Sequence, residues 1–244
     1  MTSLGFLYPG HSAEDDYPRM EQLIGSNIRL GVVHTDIGED AHRVDALIEM
    51  GSAKRLAAGV EELRLAGAEA VVWACTSGSF VYGYEGAHGQ VRELARVAGL
   101  PASSTSFAFA HAVKELGASR VAVAATYPDD VAELFAEFMK AVDIEVLSVR
   151  GSGIITAAEV GTWGEDEVLA LARAGDHPEA EVVLMPDTAL HTAAYLPLIE
   201  ETLGKPVLTA NQVTAWEGLR LADRRVNAPR LGTLFTREPL VQVD

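Results

Sequence analysis

Residues Glu69–Ser79 read EAVVWACTSGS. Ala70 to Ala74 are apolar without alternation, the pattern of a strand buried on both faces of a parallel sheet. The run stops at Cys75, and the small polar residues Thr76-Ser77-Gly78-Ser79 follow. Such an ending puts the cysteine at the carboxyl edge of a sheet, where open α/β sheets bind ligands. Similar short runs recur at Leu4–Tyr8, Arg29–His34, Arg120–Ala125, Glu145–Val149 and Glu181–Met185. Helical periodicity lies between them. Val131, Leu134, Phe135, Phe138, Met139 and Val142 form one apolar stripe, with Pro128, Asp129 and Asp130 suited to its first turn. Leu56, Val60 and Leu63 give a second stripe that ends near Gly67, and Val168–Ala172 holds a third. Strands alternating with amphipathic helices predict a doubly wound α/β architecture.

The deciding stretch has an echo. Residues 69–76 read EAVVWACT and residues 181–188 read EVVLMPDT. Gly99-Leu100-Pro101 and Gly204-Lys205-Pro206 follow at similar distances, and each then leads through a short polar stretch into a helix, Ser106–Leu116 and Asn211–Ala222. This predicts two similar α/β halves facing each other across a cleft. The expected division is 1–105 plus 212–244 for the first half and 106–211 for the second.

The chain has 244 residues, 19 Lys+Arg against 35 Asp+Glu, a formal net charge of −16 and one cysteine. A single cysteine excludes a disulfide framework and a Cys-rich zinc site. The acidic balance argues against nucleic acid and anionic membrane surfaces as partners. No apolar run approaches the ~18 residues of a membrane helix, and Met1–Tyr8 lacks the basic region of a signal peptide. The cytoplasm is the expected compartment. No metal site is expected: a solvated acidic loop accounts better for His34, Asp36, Glu39, Asp40 and His42. Gly151-Ser152-Gly153-Ile154-Ile155-Thr156 lacks the last glycine of a dinucleotide fingerprint, and there is no GxxxxGK[ST], HExxH or GxSxG motif.

Cys75, at a strand end before a helix N-terminus, is the candidate nucleophile. The positive backbone dipole there predicts a lowered thiol pKa, and the N–H groups from Thr76 to Ser79 are expected to hold a carboxylate. The competing reading is a buried cysteine serving as a small hydrophobe. Asp187 holds the matching place in the second half as a proton donor or acceptor, or else as the N-cap of a helix beginning near Leu190. Tyr127 ends another strand, its hydroxyl available to a substrate oxygen or its ring to packing. Pro9 and His11 follow the first strand on the same sheet edge. Asn211 and Gln212 lead the second half's last helix, where capping explains Asn211.

Taken in order, Cys75-Thr76-Ser77-Gly78-Ser79-Phe80, Thr126-Tyr127-Pro128, Gly151–Glu159 (GSGIITAAE) and Gly204 to Trp216 resemble the aspartate/glutamate racemase superfamily. The branch most similar is that of maleate cis–trans isomerase and arylmalonate decarboxylase. The resemblance implies two flavodoxin-like halves related by a pseudo-twofold axis, with the site between them, and cofactor-independent chemistry beside a carboxylate. It implies that Cys75 is the nucleophile, and that Thr76, Ser77 and Tyr127 bind carboxylate oxygens; Pro9, His11, Gly78 and Thr188 complete the expected substrate-binding set. The second cysteine of the isomerases falls at Asp187 here. A carboxylate (pKa ~3.9 against ~8.5 for Cys) is a much weaker base for a Cα proton, which puts two-base racemisation in doubt. The decarboxylase pattern keeps the second cysteine and lacks the first, so the isomerase pattern fits best.

The expected activity is cis–trans isomerisation of a small dicarboxylate of the maleate type, through a Cys75 adduct and an enolate-like intermediate. The alternatives are an arylmalonate-type decarboxylase, an amino-acid or hydantoin-type racemase, and a non-catalytic carboxylate-binding protein. Substrate selection is expected from the loops Gly10–Asp16 and Val81–His88. A small carboxylate is the expected partner, and a homo-oligomer the expected assembly.

Overall fold

The computed structural model describes residues 1–236. The first 104 residues run β1 (Thr2–Pro9), α1 (Asp16–Ile24), β2 (Ile28–Thr35), α2 (Val44–Met50), α3 (Ala53–Leu65), β3 (Ala70–Trp73), α4 (Ser77–Phe80), α5 (Gly83–Ala98) and β4 (Ala102–Ser104). The chain continues as α6 (Thr105–Glu115), β5 (Arg120–Ala124), α7 (Asp129–Lys140), β6 (Glu145–Arg150), α8 (Ala157–Val160), α9 (Glu165–Gly175), β7 (Val182–Met185), α10 (Leu196–Leu203), β8 (Val207–Thr209) and α11 (Ala210–Leu221), and two short 3₁₀ turns follow.

The strands form two parallel four-stranded sheets, ordered β2-β1-β3-β4 and β6-β5-β7-β8. The second order repeats the first, as the echo between EAVVWACT and EVVLMPDT requires. The architecture is α/β with two doubly wound halves. Among the described residues, no helix is long and apolar enough to cross a membrane.

Burial explains the strand pattern. All four residues of β3 and of β7 are buried, because each has a strand on both sides and helices on both faces. The edge strands differ from the continuous apolar reading. In β2, Ile28, Leu30, Val33 and Thr35 are buried, whereas Arg29, Gly31 and His34 are exposed. In β6 no residue is fully buried, and its pairing with β5 shifts register at Val121/Ala122. An edge strand covered on one face needs an apolar residue only at alternate positions.

Sequence periodicity misses β4 and β8. The polar stretches read as lead-ins to helices are three-residue strands, Ala-Ser-Ser and Val-Leu-Thr, each completing its sheet. Both are too short for a repeating pattern to register.

Helices α6 and α11 pack together between the sheets' connections. Thr105 and Thr214 hydroxyls lie 2.6 Å apart, and His111 Nδ1 lies 3.0 Å from Glu217 Oε1. Gly218 of α11 lies against Phe6 and Leu4 of β1, where a Cβ would stand 3.1 Å from the Phe6 ring. We propose 1–105 with 212 onward as one half and 106–211 as the other; the return of α11 to β1 supports this division, and residues 237–244 of it lie outside the described residues. Phe80, Tyr127, Phe109 and Phe135 stack in one chain of aromatic contacts with ring centroids 5.3–5.9 Å apart, joining the halves in one buried core.

Candidate active site

The carboxyl ends of β3 and β7 open into one cavity. Pro9, Ser12, Ile37, Glu39, Asp40, Ala41, His42, Leu47, Met50, Cys75, Ser77, Ala157, Asp187, Thr188 and Ala189 line it. It therefore draws its wall from both halves. Its volume is about 30 Å³, room for about two water molecules. A larger cavity of 310 Å³ lies beside α11, among Trp216, Arg220, Arg224 and Phe235, and holds neither a nucleophile nor a strand end.

Cys75 is 2% exposed. The chain turns directly from β3 into the single helical turn α4, so the Gly78 N–H comes back to donate to Cys75 Sγ at 3.3 Å. The Ser77 hydroxyl lies 3.8 Å from the same sulfur. Position 78 is tight. A Cβ there would stand 3.1 Å from Met50 Cε, 3.2 Å from Cys75 Sγ and 3.2 Å from the Trp73 ring. Gly51 is constrained for the matching reason, since a Cβ would stand 2.2 Å from the Gly78 carbonyl oxygen.

The expected low thiol pKa is reversed. Burial pushes Cys75 up to about 12, and the charge of Asp187 adds to the rise, against the smaller lowering by the Gly78 and Ser77 hydrogen bonds. Desolvation outweighs one turn of helix because the charged form loses its water on all sides. The resting group is a thiol.

Asp187 is 5% exposed. Thr126 Oγ1 donates to its Oδ2, and the Ala189 N–H donates to Oδ1 at 2.9 Å. No helix starts near Leu190: residues 186–195 are turns, and α10 begins at Leu196. The N-cap reading of Asp187 is therefore wrong, and the carboxylate is left at the cavity wall.

Other expected residues divide into three groups. Pro9, Ser77 and Thr188 line the cavity with Cys75 and Asp187. Thr76, Gly78 and Tyr127 lie directly behind that wall. The Thr76 hydroxyl oxygen is buried without a hydrogen-bond partner, and Tyr127 OH donates to the Pro186 carbonyl at 2.9 Å. Burial raises Tyr127 far above the usual tyrosine value, and the charge of Asp187 adds to the rise. His11 stands apart. Its side chain is 72% exposed and pairs with Glu14 at the outer mouth, outside the cavity lining.

Asn211 does not cap α11. Thr209 does, in a reciprocal pair with Gln212, while Asn211 Nδ2 donates to buried Asp16 at 3.1 Å. Asp16 in turn accepts from the Thr192 and Ala193 N–H groups. This network holds the turn after Asp187 from the opposite half. Tyr8 does the same, donating to the Thr188 carbonyl at 2.8 Å.

The segment 36–43, read from sequence as a solvated acidic loop, covers the cavity instead. Asp40 accepts from the N–H groups of Ala157 and Ala158, at 2.7 and 3.0 Å. The His42 N–H donates to the Ile155 carbonyl at 2.8 Å, and its Nδ1 bonds the Ile154 carbonyl at 2.9 Å. His42 is 8% exposed and packs edge-on against Tyr127. The Gly151–Glu159 motif supplies these partners. Gly153 and Ile154 hang on the Tyr127 and Thr126 carbonyls, and a Cβ at Gly151 would stand 2.6 Å from the Tyr127 oxygen. Of the loops expected to select substrate, Gly10–Asp16 contributes Ser12, whereas Val81–His88 contributes nothing to the lining. Sequence reasoning reaches Ser12 only as part of the Gly10–Asp16 loop, and gives Ile37, Asp40, His42 and Met50 no place in the site. The position of Ser12 directly after the Pro9–His11 turn is a usable signal for that residue; Asp40 and His42 depend on contacts more than a hundred residues apart in the chain.

Solved and curated proteins share this framework. Arylmalonate decarboxylase of Bordetella bronchiseptica is 31% identical over 143 residues, which is 56% of this chain and 58% of that protein. Maleate isomerase of Nocardia farcinica is 28% identical over 141 residues, 57% of this chain and 55% of that protein. The chain thus aligns with little more than half the length of these curated relatives. The maleate isomerase Iso of Pseudomonas putida superimposes with a TM-score of 0.87 at 19% identity, over 96% of this chain and 98% of that one. A cysteine-to-serine mutant of the Nocardia farcinica maleate cis–trans isomerase, solved with a covalently bound succinylcysteine intermediate, gives a TM-score of 0.87 at 22% identity, over 98% and 99%. These superpositions establish the common fold. The arylmalonate decarboxylase family profile matches residues 48–235, the greater part of the sequence, with Cys75 and Asp187 inside it, so this chain belongs to that family.

Proposed function

We propose that the protein is a cofactor-independent enzyme that isomerises a small cis-enedioate of the maleate type by covalent addition of Cys75. One observation carries this reading: the only cysteine and a buried aspartate, at equivalent strand ends of the two halves, line the same cavity. A nucleophile and a proton-transfer group across a water-poor cleft are what reversible addition needs.

The steps follow from the resting state. Cys75 is a thiol, so its proton must leave as sulfur attacks. The S–H proton passes to Asp187 while the S–C bond forms at one alkene carbon. The alkene electron pair moves to the other carbon and its carboxylate. Asp187 then returns the proton to that carbon, giving a thioether with a single C–C bond. After rotation, Asp187 removes the proton again, the S–C bond breaks and the trans product leaves. Asp187 passes that proton back to the departing sulfur, and the thiol is regenerated with no net change in atoms or electrons.

The developing negative charge on the carboxylate falls beside hydroxyls and N–H groups. Ser77 and Thr188 sit in the wall, and the unpartnered Thr76 hydroxyl lies behind it. Donors of this kind are worth about 10²–10³ in rate when aimed at the charge. Ile37, Leu47 and Met50 supply the apolar side that excludes water. A four-carbon diacid exceeds the present volume, so segment 36–43 must lift for entry.

A second reading is supported by the solitude of the thiol. Decarboxylation of a substituted malonate passes through a similar enolate, and a single thiol would protonate only one face of it. Parallel NMR assays with maleate and a substituted malonate separate the two. Fumarate formed from maleate, and lost in Cys75→Ser, is the expected result. Turnover of the malonate alone replaces the isomerase reading, and inertness toward both supports a carboxylate-binding role.

A further inference from the structure

Outside the cavity, one cluster of ligand-type side chains among the described residues is assembled without a task. His11, Glu14 and His34 come from the loop after β1, the approach to α1 and the end of β2. Their ligand atoms all lie within 4.8 Å of one another. We propose that they form a binding site for one divalent transition-metal ion of the zinc class, at the outer mouth of the cleft.

The geometry supports three ligands on one ion. Zinc binds imidazole nitrogen and carboxylate oxygen at about 2.0–2.2 Å, so adjacent ligand atoms in a tetrahedron stand about 3.4 Å apart. His34 Nε2 lies 3.4 Å from Glu14 Oε1, and His11 Nδ1 lies 2.9 Å from the same oxygen. The two imidazole rings lie with centroids 3.9 Å apart and planes 31° apart, and each has one nitrogen beside Glu14 Oε1. Rotation of the exposed His11 ring brings all three atoms onto one ion. His11 is 72% exposed and needs no backbone change to move.

The carboxylate is already oriented. Glu14 uses Oε1 toward the histidines, while its Oε2 accepts from the Ser12 N–H at 2.7 Å. A ligand carboxylate held by a second partner is the usual arrangement around bound metals. Ser12 in turn lies 2.8 Å from Tyr8 OH and lines the Cys75 cavity. The site opens onto a shallow depression where Asp15, Pro18, Leu30 and Val32 form the rest of the rim, which leaves the fourth position to water. Two imidazoles and one carboxylate select zinc, nickel or copper over calcium or magnesium, which prefer all-oxygen sets. The sequence groups His34 with His42, yet His42 is committed to the Ile154 carbonyl and His34 faces Glu14 across β1 instead.

Calorimetry of the untagged full chain with zinc chloride tests this. One ion per chain is expected, with His34→Ala and Glu14→Gln each weakening binding about tenfold or more. Cobalt(II) gives a second readout: the visible bands of a four-coordinate ion should appear in the wild type and vanish in His34→Ala. Magnesium should not compete. Absence of stoichiometric zinc uptake overturns the proposal. So does uptake unchanged in both variants, or uptake that is lost in Cys75→Ser instead.

Discussion

Strands β3 and β7 hold the same place in two sheets of the same order, and both end in the one cavity. Beyond β3 the chain makes a tight helical turn, and the Gly78 N–H returns to the sulfur of Cys75. Beyond β7 it makes only turns, and Asp187 is held by Thr126 and by the Ala189 N–H. The first arrangement leaves a buried sulfur with few partners; the second fixes a carboxylate in one orientation. A duplicated scaffold has thus placed two groups on opposite walls and let the local turn decide their chemistry. Burial raises the thiol, so we assign the bond-forming atom to the first half and the proton acceptor to the second.

The largest effect expected on this comparison comes from removing the sulfur. Cys75→Ser should lower maleate turnover by on the order of 10³-fold or more, read by initial rates with KM determined separately. Wild-type rates in that variant would break the assignment. Asp187→Asn keeps the shape and most hydrogen bonds but cannot carry the proton. It should lower kcat by about 10²-fold or more with a smaller change in KM. An unchanged kcat would reduce Asp187 to a structural residue.

A third substitution sharpens the contrast by touching one side only. Gly51→Ala presses a methyl group onto the Gly78 carbonyl, 2.2 Å from the ideal Cβ. Destabilisation of about 1–3 kcal/mol is expected in denaturant titration, together with loss of activity. The Asp187 wall has no such glycine against its turn.

The last effect, the smallest at neutral pH, is on alkaline stability. The Cys75 thiol is raised in the folded protein, so the folded state holds its proton more tightly than the unfolded chain does. That contribution is fully present below the unfolded thiol value of about 8.5 and is lost as pH rises toward 12. Between these values the wild type should lose up to about 1.4 kcal/mol per pH unit more than Cys75→Ser. Parallel slopes would show that the thiol is not raised by burial.

The strands are legible in the sequence because buried parallel strands are apolar throughout, as in Ala70–Trp73 and Val182–Met185. Repetition of EAVVWACT as EVVLMPDT reveals the duplicated halves, and the strand-end rule places Cys75 and Asp187 at one edge. Three-residue β4 and β8 carry no period and escape notice. The sign of the Cys75 shift is not legible, because a helix turn is local in sequence. The groups that pack around the Cys75–Gly78 turn, such as Met50 and Gly51, are distant in it. For the same reason the segment 36–43 resembles a solvated loop. Its partners, Ile154 to Ala158, lie more than a hundred residues away. Asn211 fits a cap locally, yet its partner is Asp16 in the other half.

The central claim is that Cys75 forms a covalent bond to the substrate and Asp187 carries the proton that undoes it. Incubating the wild type and Asp187→Asn with maleate, quenching in acid and measuring intact and peptide masses tests this most directly. A mass gain of one maleic acid is expected on the Cys75 peptide of the wild type and little or none in the variant, because Asp187 both takes the thiol proton and returns it to carbon. An adduct of wild-type yield in the variant, or an adduct on another residue, would contradict it.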